Sequence, residues 1–308
     1  MNDSKMSAAS FRALYDRLRG QDPWGADDRR GALNHITPQR VIAAAGEVRA
    51  GRTVTLAAPL ARSGPDNPEP GARHMKLLPT EPSGVPGVSF AADQITMSVH
   101  GDVDSHIDAL CHVSYGGTLY NGVPAGAVTS QGAAELSIED ARDGIVGRGV
   151  LLDIPRLRGV PWLEPGEHVT AAELAAAEQA QQVRAGPGDL LFVRVGHRRR
   201  RAELGPWDVA RSRAGLHPDT AEYLAERQIA ALGCDSNSDT APSVVDGVAF
   251  PMHVLAINAL GLHLLDYLQF DDLAPACEAA VRWSFLCVIA PLRLPGGTGS
   301  PVNPIAIL

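Results

Sequence analysis

The side chains best suited to bind an ion or move a proton crowd into thirteen residues, His100-Gly-Asp102-Val-Asp104-Ser-His106-Ile-Asp108-Ala-Leu-Cys-His112. Three of the chain's ten histidines and three aspartates fall within that stretch. His106 and Asp108 are two apart, so on an extended segment they point the same way. Asp108 and His112 are four apart, which on a helix aligns them on one face. The pattern predicts a chain that leaves a strand and enters a helix while its side chains converge on one point. Imidazole and carboxylate together suit Zn²⁺, Mn²⁺ or Fe²⁺, and no thiolate-rich structural zinc site is indicated. The competing reading is an ordinary polar helix start, with Asp104 or Ser105 as its N-cap.

A second constellation comes late, in Phe250-Pro-Met-His253 and Gly261-Leu-His263-Leu-Leu-Asp266. His253 follows a proline turn and belongs at a helix start. Asp266 sits inside the apolar run LGLHLLDYL, where a lone carboxylate is costly unless paired or bound to a metal. It could equally end a strand and accept backbone N–H groups. His263 reads as a packed or surface histidine. Between the two constellations, Gly233-Cys-Asp-Ser-Asn-Ser-Asp239 directly follows an apolar run. Small polar residues at the carboxyl end of a strand often line a site in α/β folds, and a plain turn fits as well. Cys234 has no histidine or aromatic signature beside it, so a cysteine nucleophile is a minor reading. The chain carries no GxSxG elbow, Walker loop or dinucleotide fingerprint.

These residues need elements to hold them. Gln94 to His100 alternates apolar and polar, which predicts a half-buried strand. Continuous apolar runs at Gly149–Ile154, Asp189–Val195, Ile229–Leu232 and Ser284–Leu292 predict strands covered on both faces. Thr170-Ala-Ala-Glu173 is a capping box opening an Ala-rich helix to about Arg184, with Gly186 beyond its end. His217-Pro218 opens a second helix through about Gln228, and a third runs from near His253 to Gly261. Helices alternating with strands in the second half argue for α/β, and a more β-rich first half for a mixed sheet. The segment Arg62 to Gly87 is rich in Pro, Gly and Ser and too long for a simple connection, which suits a lid over the site.

Composition narrows the functions. The 308 residues carry 27 Lys+Arg against 35 Asp+Glu, a formal charge of −8, and 45% are hydrophobic. Such a chain buries a core and makes a poor nucleic-acid ligand, because phosphate contacts need clustered cations. The one basic run, Arg198 to Arg201, reads as a solvated loop or an interface patch. The N-terminus shows no apolar secretory core, and no apolar run is long enough to cross a bilayer. Cys111, Cys234, Cys277 and Cys287 lack CxxC spacing and fit reduced thiols in a cytoplasmic protein.

SHIDALCH, followed by GGTLYNG at Gly116 to Gly122, resembles the signature H-x-G-T-H-x-D-x-P-x-H of the metal-dependent cyclase family, which includes bacterial kynurenine formamidase and isatin hydrolase. WGADDRRGALNHITP (Trp24 to Pro38), GDLLFVRVGH, AGLHPDTAEYLAERQIAALGCDSNSD and the ending APLRLPGGTGSPVNPIAIL are similar to further family segments, so the likeness spans residues 20 to 308. It implies the swivelling β/β/α fold in a single domain at 21–308, after an N-terminal arm at 1–20. It implies one or two divalent ions, Zn²⁺ or Mn²⁺, held by His106, Asp108, His253 and Asp266, with His112 as the catalytic histidine. The family's first histidine falls at Asp102 here, with His100 six before His106; either could supply that ligand, and His100 is assigned as the metal ligand because a histidine stands there. Asp266 stands for a family glutamate and Leu110 for its proline.

The implied activity is hydrolysis of a formamide or cyclic amide, of the arylformamidase or isatin hydrolase kind, with a place in tryptophan catabolism. A cyclase or lyase acting on a polyketide-like or lactone intermediate is the alternative, and a catalytically silent binding protein the third. The expected partners are a small-molecule substrate and a second copy of the chain, as homodimer or homotetramer, with neither nucleic acid nor membrane.

Overall fold

The structure, a computed structural model, describes residues 5–20, 24–60, 73–82 and 84–308, the backbone alone for 73–82. Its strands are β1 (Thr53–Thr55), β2 (Arg73–Pro82), β3 (Ser89–Met97), β4 (His106–Asp108), β5 (Val128–Thr129), β6 (Gly132–Ala133), β7 (Ile145–Asp153), β8 (His168–Val169), β9 (Leu190–Arg194), β10 (Gly215–Leu216), β11 (Ala231–Cys234), β12 (His263–Asp266), β13 (Ser284–Ile289), β14 (Gly299–Pro301) and β15 (Ile305–Ile307). The helices are α1 (Ala8–Arg19), α2 (Pro38–Ala45), α3 (Ile154–Arg158), α4 (Ala171–Gln181), α5 (His197–Leu204), α6 (Thr220–Arg227), α7 (Pro251–His253) and α8 (Leu273–Ala280). A π-helical turn, Val254–Ala259, continues α7.

Nine strands form one sheet in the order β1-β15-β13-β7-β9-β11-β12-β4-β14. Its centre, β7-β9-β11-β12, is parallel, and every other pairing is antiparallel. This is the mixed α/β sheet with flanking helices that the sequence predicts. The continuous apolar runs supply the centre. Leu151, Leu190, Leu191, Val193 and Leu232 are fully buried, each burial contributing about 1.5–3 kcal/mol. Phe192 lies against both Phe270 and Phe285. Gly233 makes room for that ring, since a Cβ there would fall 2.6 Å from Phe192.

The helix signals hold with small shifts. Thr170 and Glu173 form the reciprocal capping box, and α4 ends at Gln181, three residues short of Arg184, where Gln182 turns left-handed. Asp219 rather than His217 is the N-cap of α6. Helix α1 buries Phe11, Leu14, Tyr15 and Leu18. Among the described residues no helix is long and apolar enough to cross a membrane.

Three expectations change. The strand read from alternation at Gln94–His100 exists, but β3 ends at Met97 and is exposed along Ser89–Thr96, because among the described residues it pairs only with β2, off the main sheet. Within the segment 62–87, residues 73–82 are a strand rather than an irregular loop, and 62–72 lie outside the described residues. The basic run forms helix α5, and Arg198 is no solvated side chain: its guanidinium donates to the carbonyls of Val103, Tyr267 and Leu268. Arg199 and Arg200 pair with Glu203 and Glu164, which leaves no free basic stripe there.

Candidate metal centre and active site

Strand β4 places the first two groups. His106 and Asp108 alternate on an extended backbone, so both project to one side, with His106 Nε2 3.7 Å from Asp108 Oδ1. No helix follows. The chain turns at once, the His112 N–H donating to the Ala109 carbonyl at 2.9 Å. His112 reaches the cluster through that turn, not by helical spacing, and neither Asp104 nor Ser105 caps a helix.

The antiparallel partner strand supplies the next group. Register sets Asp266, the last residue of β12, opposite His106. The neighbouring loop after β11 lies close by, and there the Ser238 N–H and hydroxyl both donate to Asp266 Oδ1, at 3.1 and 2.6 Å. His253 enters from α7. Its Nε2 lies 3.5 Å from Asp108 Oδ2 and 3.5 Å from Asp266 Oδ2, while its Nδ1 faces Asp239. His100 completes the cluster. Its Nδ1 is 2.8 Å from Asp108 Oδ1, its Nε2 is 2.9 Å from the Thr298 hydroxyl, and its ring stacks on His112 at 3.7 Å. Gly299 on β14 admits that ring, because a Cβ there would stand 2.7 Å from His100 and 2.5 Å from the Ile107 carbonyl.

His100, His106, Asp108, His112, His253 and Asp266 thus converge although the first and last stand 166 residues apart in the chain. One ligand atom each of His100, Asp108 and His112 lies within 4.8 Å of the others. Asp102, the alternative to His100, turns elsewhere and accepts the Tyr267 hydroxyl at 2.8 Å.

The arrangement suits a divalent cation. Asp108 Oδ2 and Asp266 Oδ2 are buried and, among the described residues, have no hydrogen-bond partner, with His253 Nε2 3.5 Å from each. Orphaned carboxylate oxygens in a protein interior are strongly unfavourable, and a cation would satisfy both. Donors bound 2.0–2.1 Å from a tetrahedral ion stand about 3.3 Å apart, close to the 3.5 Å separations at His253. The His106 Nδ1–H donates to the Asp104 carbonyl at 2.8 Å, which leaves Nε2 with its lone pair toward Asp108.

Burial opposes charge on His253, yet the closeness of Asp108 and the hydrogen bond to Asp239 hold it well above the ordinary imidazole value, so in the absence of a cation its protonated ring faces both carboxylates. Burial opposes charge on Asp108, yet the hydrogen bond from His100 and the closeness of His253 hold its carboxyl well below the usual range. Burial raises Asp266. Burial lowers His112 to about 4, so it stays neutral and able to take a proton at ordinary pH.

Other sequence candidates have structural posts. Cys234 is fully buried and burial raises its thiol well above the ordinary value, which removes it as a nucleophile. All four cysteines are free and buried. His263 is packed inside. In GGTLYNG, Tyr120 donates to Asp28, and Asn121 donates to the carbonyls of Gly25, Ala26 and Asp28, tying that loop to the Trp24–Pro38 segment. Ser238 and Asp239 end the small polar run Gly233–Asp239, and their only sequence signal is their place after a strand.

Comparison with known proteins follows the geometry. A family profile described as "Putative cyclase" matches residues 32–239. A crystal structure described as a novel cyclase is 32% identical, covers 96% of this chain and 99% of its own, and superposes with a TM-score of 0.86. An isatin hydrolase bound to the product analogue thioisatinate is 21% identical over 89% of this chain and 99% of its own, with a TM-score of 0.57. Isatin hydrolase A from Labrenzia aggregata, bound to benzyl benzoate, is 19% identical over 88% and 99%, with a TM-score of 0.58. These last two share the fold. No curated protein matches the sequence.

Proposed function

The chain belongs to the cyclase family, and from that premise we propose that it is a metal-dependent hydrolase that opens an amide bond of a formamide or cyclic amide. The observation that carries this reading is the pair of buried, unpartnered oxygens, Asp108 Oδ2 and Asp266 Oδ2, facing His253 Nε2. His106, Asp108, His253 and Asp266, with His100 beside them, would hold one or two ions, Zn²⁺ or Mn²⁺. A divalent ion bound there supplies a water of lowered pKa and polarises the substrate carbonyl.

The chain's own residues do the rest. His112, kept neutral by burial, takes the proton of the attacking water and returns it to the departing nitrogen. Stacking on His100 fixes its ring for both transfers. Asp108, anchored by His100, holds negative charge at the centre throughout. Likeness to isatin hydrolases in fold supports a cyclic amide as substrate. The same reading includes a homodimer or homotetramer, which light scattering on the eluting peak would test.

A screen of N-formylkynurenine, isatin and lactones in a pH-stat tests the chemistry. Bond opening with release of one proton per turnover, lost on chelation, is the expected result. Loss of water without proton release would instead establish the cyclase or lyase alternative.

A further inference from the structure

Asp239 is fully buried in the loop after β11 and belongs to none of the donor sets above. Its carboxylate accepts three N–H groups: the Met252 N–H at 2.6 Å, the His253 N–H at 3.1 Å and His253 Nδ1 at 2.6 Å. The first two are donors of the first turn of α7, where Phe250 at the N-cap offers no side-chain acceptor. The third sets the imidazole. In the neutral ring, an Nδ1–H donating to Asp239 leaves the lone pair on Nε2, and Nε2 is the atom 3.5 Å from both Asp108 and Asp266. Asp239 cannot drift, because Arg213 Nε donates to its carbonyl at 3.0 Å and Asn237 Oδ1 accepts its N–H at 2.9 Å.

We propose that Asp239 is a positioning residue for the metal centre, locking His253 in the Nδ1–H tautomer and in one ring orientation so that Nε2 presents its lone pair to the cation. The inference rests on His253 being a ligand. Carboxylates behind metal-binding histidines act in this way, and losing one weakens metal binding by about 10–100-fold. Substitution by asparagine has a specific consequence. If the amide oxygen keeps the Met252 N–H at the Oδ1 place, the amide nitrogen stands at the Oδ2 place, donates to Nδ1 and forces the Nε2–H tautomer. A proton then stands where the lone pair is needed.

The experiment is competition for Zn²⁺ between a chromophoric chelator and the full-length protein, in the wild type, Asp239→Asn, Asp239→Glu and His253→Ala. Asp239→Asn should weaken zinc binding by about 10–100-fold, and Asp239→Glu should recover part of the loss. Wild-type affinity in Asp239→Asn, with zinc lost in His253→Ala, would overturn the positioning role alone. Zinc retained in His253→Ala would overturn the ligand reading and this inference with it. Should Asp239→Asn fail to fold, long-range ¹H–¹⁵N correlation on the zinc-loaded wild type decides. A protonated Nδ1 on His253 is expected, and a protonated Nε2 would overturn the assignment.

Discussion

At the scale of single residues, His112 separates binding from chemistry. It stands against His100 and near His253, within reach of the cluster but on a turn rather than on β4. Substitution His112→Ala should leave the fold and the bound metal in place and lower kcat by about 10²–10⁴, the usual contribution of a positioned proton-transfer group. The loss should appear equally in kcat/KM, as for an interaction made in the transition state. Metal analysis and kinetics on that one variant distinguish three cases: an acid–base group, a ligand whose removal releases metal, and a bystander whose removal changes neither. Asp266 poses a different question. Its Oδ1 is already satisfied by Ser238, as a strand-end carboxylate would be, and its Oδ2 has no hydrogen-bond partner among the described residues and faces His253 Nε2 at 3.5 Å. The strand-end reading of this aspartate describes Oδ1, and the metal-ligand reading is a proposal for Oδ2.

At the scale of elements, the site depends on neighbours far apart in sequence. Strand β4 has three residues, and its pairing with β12 and β14 brings His106 beside Asp266 and Asp108 beside Gly299. Gly299→Ala should be costly for that reason, since the new methyl would meet backbone at Ile107 and the ring of His100. A loss of about 1–3 kcal/mol is expected from urea unfolding, with weakened metal binding as His100 shifts. An unchanged midpoint would show that β14 yields more readily than its close contacts suggest.

The same pairing explains what was legible in the sequence. The central strands and the capping box were, because an apolar run and an S/T-x-x-E pattern are local signals. The His106–Asp108 alternation was legible too, since period two is a property of one short segment. The turn at Ala109–His112 was not, because a four-residue spacing fits a helix and a tight turn alike. The exposure of β3 was hidden because alternation reports two faces and not which neighbours cover them. Ser238 and Asp239 were hidden because their role arises only where their loop meets α7 and β12.

At the scale of the whole molecule, buried groups link stability to pH. Burial lowers His197 to about 3 and His263 to about 4, against 6.5 for a free imidazole. The unfolded chain binds those protons first as pH falls, so the stability these groups permit is complete above about 6.5 and drains toward pH 4. Asp235 acts oppositely: burial raises it to about 6, so the folded form holds a proton that the unfolded form has lost. Outside the metal centre these three are the large shifts in this range, and two histidines against one carboxyl predict a urea midpoint for the metal-loaded protein that falls between pH 7 and pH 5. A midpoint that rises over that interval would contradict the burial of the two rings. The metal centre itself is tested most directly by the metal content of the purified wild type and of Asp108→Ala, determined by elemental analysis after dialysis. Asp108 is the group that His100, His106 and His253 all approach, so no cation should persist without it. About one or two divalent ions per chain in the wild type and almost none in the variant are predicted, whereas a variant that keeps its full complement would contradict the centre.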